Sequence, residues 1–153
     1  MLDAEFWRST GIDIVACYRE HIFDPDGGGK KARDIDGNSF DKYSTEYEES
    51  KKTGKLKRQA TKFKDSNAPV LTSDLLRAFK AFKSYKTGFS FGAITQQGKV
   101  KSLAQRGRVL YKETKPLPDE CSNFLMKELD KDVKCAFKKL RKKIRRKKII
   151  IKV

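Results

Sequence analysis

The chain holds 153 residues, a length that fits one domain and is too short for two full cores. Charged residues make up 37% and hydrophobic residues another 37%, so a core can form but must stay small. With 36 Lys or Arg against 20 acids the formal charge is +16, which sets the chain repelling itself and seeking a polyanion or an acidic protein surface.

The longest aliphatic run is Ile149, Ile150 and Ile151, far below the roughly 20 residues of a spanning helix, so no membrane partner is expected. Asp3 and Glu5 near the start argue against a secretory leader, and synthesis in a cytoplasm is the expectation. Cys17, Cys121 and Cys135 are odd in number and widely spaced, a pattern of small buried hydrophobes rather than a disulfide frame or a zinc site.

In chain order, Ile12, Val15, Tyr18 and Ile22 recur at three- and four-residue steps and predict an amphipathic helix over 10–23, with Thr10 as a cap or a start as early as Asp3. The stretch Asp24-Pro25-Asp26-Gly27-Gly28-Gly29 ends it, because proline and glycines cannot sustain a helix. Residues 30–64 are polar, with Phe40, Tyr43 and Tyr47 as isolated anchors. They read as a loosely held loop containing a short helix near 44–50, and the loop as a whole, residues 24–65, is expected to contact neighbouring subunits through those three aromatics.

Residues 68–71 read as extended, and Thr72 caps a brief helix through Leu75, Leu76 and Phe79. Alternating aromatics on either side of Lys86-Thr87-Gly88 predict a hairpin. A helix over 97–106 stops at Gly107, and residues 108–111 read as a strand. After Pro116-Leu117-Pro118, Asp119 caps a long helix whose apolar positions are Cys121, Leu125, Leu129, Val133, Phe137, Leu140 and Ile144.

The fold class expected is α+β. A small antiparallel sheet holding residues 89–91 and 109–111 packs against Leu125, Leu129, Val133 and Phe137 of the long helix, beside the N-terminal helix and the polar loop. Residues 1–137 form the body and 138–153 a basic extension. That extension holds ten Lys or Arg and no acid, and without it the charge falls from +16 to +6. Its end, residues 149–153, is β-prone and could join a neighbour's sheet edge.

Catalytic chemistry finds little support. His21 is the single histidine and reads as a hydrogen-bonded helix residue. Gly27-Gly28-Gly29-Lys30-Lys31 lacks the spacing of a phosphate loop, and Asp24, Asp26, Asp34 and Asp36 lack the loop length of a calcium site, so no cofactor or metal is expected. The cations Lys138, Lys139, Arg141, Lys142, Lys143, Arg145, Arg146, Lys147 and Lys148 have the density to neutralise several phosphates without reading sequence, or to grip an acidic protein.

Several segments, taken in order, resemble the tail-completion (virion-morphogenesis) family of tailed phages, which includes Mu gpG-like and head-tail joining proteins. They are Asp34-Ile35-Asp36-Gly37-Asn38-Ser39-Phe40 leading to Tyr43-Ser44 and Tyr47, Lys51-Lys52-Thr53-Gly54-Lys55, and Pro69-Val70-Leu71-Thr72-Ser73-Asp74-Leu75-Leu76-Arg77. Gly88-Phe89-Ser90-Phe91-Gly92, then Gly107-Arg108, then Pro116-Leu117-Pro118 follow, so the likeness covers about residues 12–135. The motif positions are Asp36, Gly37, Leu71, Thr72, Leu75, Gly88, Gly92, Gly107 and Pro116. Ser73 stands where that family commonly has glycine, and the basic run lies outside its pattern.

The resemblance implies a non-enzymatic structural protein of the virion, forming a homo-oligomeric ring, hexamer favoured over dodecamer, at the neck. It would complete or terminate the tail and join it to the head, with other neck, connector or tail-tube proteins as partners and packaged DNA as a further contact. The competing reading is a basic nucleic-acid-binding protein that uses the Lys/Arg-rich tail.

Overall fold

The computed structural model describes residues 3–53, 66–69 and 73–150, the side chains of Ser73 and of residues 144–150 excepted. The described elements are α1 (Ala4–Phe23), α2 (Thr45–Lys52), α3 (Ser73–Ala78), β1 (Phe79–Tyr85), β2 (Gly88–Ala93), α4 (Gln97–Gln105) and α5 (Asp119–Ile150), with a 3-10 turn at Ile94–Gln96 before α4. The protein is α+β: helices around one antiparallel hairpin.

Helix α1 begins at Ala4, not near Thr10. The Asp3 carboxylate accepts from the amides of Glu5 and Phe6 at 3.1 and 2.9 Å, satisfying donors that a helix start leaves open. Thr10 is buried in mid-helix, and Ile12 faces solvent; the stripe that turns inward is Trp7, Ile14, Val15, Tyr18 and Ile22. That stripe lies on the hairpin. Tyr18 packs against Phe79 and Phe91, Phe23 against Phe79, and Trp7 against Phe89, whose ring fills the space a side chain at Gly11 would take.

The hairpin pairs Phe79 with Ala93 through to Tyr85 with Gly88, with a bulge between Ala81 and Lys83. One face lies beneath α1. Phe82 and Tyr85 stay exposed, and among the described residues no third strand joins.

Residues 108–111 do not form the expected strand. Their backbone groups go to separate partners: the Arg108 amide to the Leu103 carbonyl at 2.9 Å, the Val109 carbonyl to the Ile35 amide at 3.1 Å, and the Leu110 carbonyl to the Tyr18 hydroxyl. These three groups are satisfied singly by different parts of the fold rather than by a ladder.

The segment after α1 is also less loose than its polarity implies. Ala32, Ile35 and Phe40 lie in the core with Tyr18, Phe23, Leu75, Phe79 and Leu110. A few buried anchors therefore hold a long polar segment onto α1 and residues 108–110.

Helix α5 departs most from expectation. It leans on α1, not the sheet, and it is buried at Cys121, half-buried at Leu125 and Leu129, and exposed at Val133, Phe137 and Leu140. At 1.5 Å per residue its 32 residues span about 48 Å, so the helix outruns the body that could cover it. It runs unbroken past position 137. Ile149 and Ile150 are helical, so the β-prone end expected there is not a strand at those positions; residues 151–153 lie outside the described residues. Of the three cysteines expected inside, Cys135 is exposed, Cys17 half-buried and Cys121 buried, and all three are free thiols. Burial, and then the neighbouring Cys17 thiol, hold the Cys121 thiol above its ordinary value.

Candidate functional site

Two surfaces gather the residues that the sequence singles out. The first lies between α2, residues 66–69 and α4. Tyr43 and Tyr47 pack with ring centroids 4.6 Å apart and planes tilted by 45°, and the Arg108 guanidinium lies 3.9 Å from the Tyr43 ring centre. Arg108 is itself buried and donates to the carbonyls of Asn67 at 2.7 Å and Asp41 at 2.6 Å. Lys51 comes within 4.9 Å of the same ring, donating to the Ser66 carbonyl at 2.6 Å, while the Tyr43 hydroxyl donates to Ala68 at 3.0 Å.

Two cations thus sit against one tyrosine, and each also satisfies a carbonyl of irregular chain. The cluster pins residues 66–69 to α2 and to Arg108. Burial pushes the Tyr43 hydroxyl up to about 12, with Arg108 opposing the rise. Tyr47 moves the same way, burial again leading. Beside the cluster opens a cleft of about 520 Å³ with Lys42, Lys99 and Arg106 at its margin and Leu75 and Leu103 among its apolar lining.

In the sequence Arg108 stands in an expected strand and Lys51 in a polar run, and neither points to this cluster. No local signal identifies them, because their partners lie across the fold. Of the three aromatics expected to meet neighbouring subunits, Phe40 is buried in its own core under Arg108, whereas Tyr43 and Tyr47 are half-buried and line the cleft. Phe40 therefore has almost no surface to offer a neighbour.

The second surface is the distal half of α5. Lys138, Lys139, Arg141, Lys142 and Lys143 are all exposed, and the backbone helix continues through Arg145, Arg146, Lys147 and Lys148. At 100° per residue the five exposed cations spread around the helix outside the strip of Phe137 and Leu140 and do not converge on a point.

The remaining motif positions are structural. Gly37 turns the chain after Asp36 with φ +91°, the turn being held by the Asp34 carboxylate, which accepts from the amides of Asp36 and Asn38 at 3.0 and 2.7 Å. Asp36 pairs with Lys112. Leu75 is in the core, Gly88 and Gly92 lie in β2, Gly107 follows α4, and Pro116 is exposed before α5. Leu71 and Thr72 lie outside the described residues.

The glycine run after α1 cradles an anion that the chain supplies itself. The Asp24 carboxylate accepts from the amides of Gly27 at 3.2 Å and Lys31 at 2.8 Å, and it occupies the space of any side chain at position 27. A phosphate has no place there. The four loop aspartates do not converge either, and among the described residues no three potential ligands group around a metal position. His21 connects α1 to the neighbouring segments: Nε2 donates to the Asp34 carbonyl at 3.0 Å, and Nδ1 lies 3.4 Å from the Glu120 carboxylate. Among the described residues no helix is long and apolar enough to cross a membrane.

Compared with protein families, characterised proteins and solved structures, the chain matches none of them. The likeness to phage tail-completion proteins therefore rests on the order of its motifs.

Proposed function

We propose that this chain is a structural, non-catalytic subunit of a tailed-phage neck. Copies close into a ring, a hexamer in preference to a dodecamer, that completes the tail and joins it to the head. Connector or tail-tube proteins stack on the ring, and packaged DNA passes through it, so the protein resides in the virion.

The observation that carries this reading is the incomplete hairpin. Packing against α1 supports the hairpin, but the edges of a two-stranded sheet present amides and carbonyls that recruit another chain. Here one face is covered by α1 while Phe82 and Tyr85 stand in solvent on β1. A surface that pairs with a different surface of the next copy generates a ring when the rotation closes. The motif order adds support, since Gly37, Leu75, Gly88 and Gly107 fall at a turn, the core, the hairpin and a helix end.

Native mass spectrometry of the full chain over a range of concentrations tests the reading. A discrete ring species is expected, and Phe82→Glu, at an exposed position, should dissolve it without unfolding the subunit. A chain that stays monomeric at every concentration and in the presence of virion fractions overturns it. The exposed cations of distal α5 favour one other reading, sequence-independent nucleic-acid binding. That binding would fall steeply with salt, whereas a ring held by apolar and strand contacts would persist.

A further inference from the structure

Helix α5 has two apolar faces. Cys121, Leu125 and Leu129 turn toward the body, while Met126, Val133, Phe137 and Leu140 are 64, 42, 59 and 51% exposed. At 100° per residue the second set falls in one narrow stripe, about 100° around the helix from the first. Its steps of seven, four and three residues are those of a coiled-coil seam, with Asp130 as the one polar residue in register.

We propose that this outward stripe is the docking face for an acidic amphipathic helix of another protein. The inference stands on α5 alone and holds whether or not the hairpin closes a ring. Charge decides the occupant. One edge of the stripe carries Lys127, Lys134 and Arg141, each directly after a seam residue, where coiled coils place the charges that choose partners. The acid within the seam, Asp130, is already paired with Lys134 at 2.5 Å. Farther along, residues 133–148 hold ten Lys or Arg and no acid.

A second copy fits this surface poorly. Laid antiparallel it sets that row of cations against the same row, and laid parallel it brings the two basic halves side by side. Nucleic acid would use the cations and leave Val133, Phe137 and Leu140 in water. A helix with an apolar seam and glutamates beside it satisfies both features at once.

The test uses the full chain and a synthetic peptide of about four heptads with leucine at a and d and glutamate at e and g. Binding on the order of micromolar or tighter is expected by calorimetry. Phe137→Ser or Leu140→Ser should weaken it by about tenfold or more with an unchanged melting temperature, since both sites are exposed. Lys127→Glu with Arg141→Glu should abolish binding of this peptide and create binding of its lysine-flanked counterpart. The proposal is overturned if the glutamate-flanked peptide fails to bind, or if polyglutamate binds as tightly. It also fails if duplex DNA displaces the peptide and binds Phe137→Ser as it binds the parent, or if the chain dimerises in a manner that Phe137→Ser removes and Phe82→Glu does not.

Discussion

Helices α1 and α5 display the same kind of sequence, apolar residues at three- and four-residue steps among charges, and meet opposite fates. In α1 the stripe lies across the hairpin, and Ile14, Tyr18 and Ile22 are completely buried. In α5 contact with the body fades after the first few turns, and a second apolar stripe stands in water. Periodicity therefore reports that a helix has an apolar face, while length and neighbours decide what covers it. A 20-residue helix matches the hairpin it covers; one of 32 residues projects past every surface that the described subunit offers.

The sharpest way to break this contrast is to truncate the same kind of side chain on each helix. Ile22 has no exposed surface and contributes to the cluster with Tyr18, Phe23 and Phe79. Ile22→Ala should cost about 2–5 kcal/mol, because the methyl groups lose their burial and the cavity is only partly filled by relaxation. A urea midpoint shifted by less than the equivalent of about 1 kcal/mol would mean that α1 is not the core helix.

A smaller effect tests the tyrosine–arginine cluster. Tyr43 ionises at about 12 in the folded chain because burial disfavours the phenolate, against about 10 for an exposed tyrosine. The unfolded chain thus loses this proton first as pH rises. Stability should stay flat with respect to this group below about pH 10 and fall between about 10 and 12. Tyr18, raised further by burial, steepens the same decline. Tyr43→Phe removes the bond to the Ala68 carbonyl and should cost about 1 kcal/mol at neutral pH while making the alkaline fall shallower. An unchanged alkaline slope in denaturant unfolding would show that the hydroxyl is already in water.

Much of the fold was legible because its signals are local. Asp24-Pro25 with the glycines after it, Lys86-Thr87, Gly107 and Pro118 each act on their immediate neighbours, and the helix ends and hairpin turn fall there. The cluster around Tyr43 was not legible, because Arg108 comes from far along the chain and Lys51 looks in sequence like any solvated lysine. Residues 108–111 misled for the reverse reason: β-prone side chains fit an extended segment whether or not a ladder forms, and here Tyr18 and Ile35 take the backbone groups instead. Gly11 carried a usable hint, since glycine in mid-helix marks close approach, and Phe89 is what approaches.

The smallest effect belongs to Phe137, and its smallness is the point. By residue type and spacing Phe137 is as good a core candidate as Ile22, and a phenylalanine truncated in a packed core costs about 3–5 kcal/mol. More than half exposed on α5, it has far less burial to lose when cut back, and alanine is the better helix former, a gain of a few tenths of a kcal/mol that offsets part of what remains. Phe137→Ala should therefore shift the stability of the free chain by less than about 0.5 kcal/mol in either direction. A loss on the scale of Ile22→Ala would mean that the distal half of α5 is covered within the free protein, by a neighbouring copy or by its own body. A near-zero change leaves Phe137 with no role in the subunit's own stability, which is the condition for a residue whose burial is reserved for a partner.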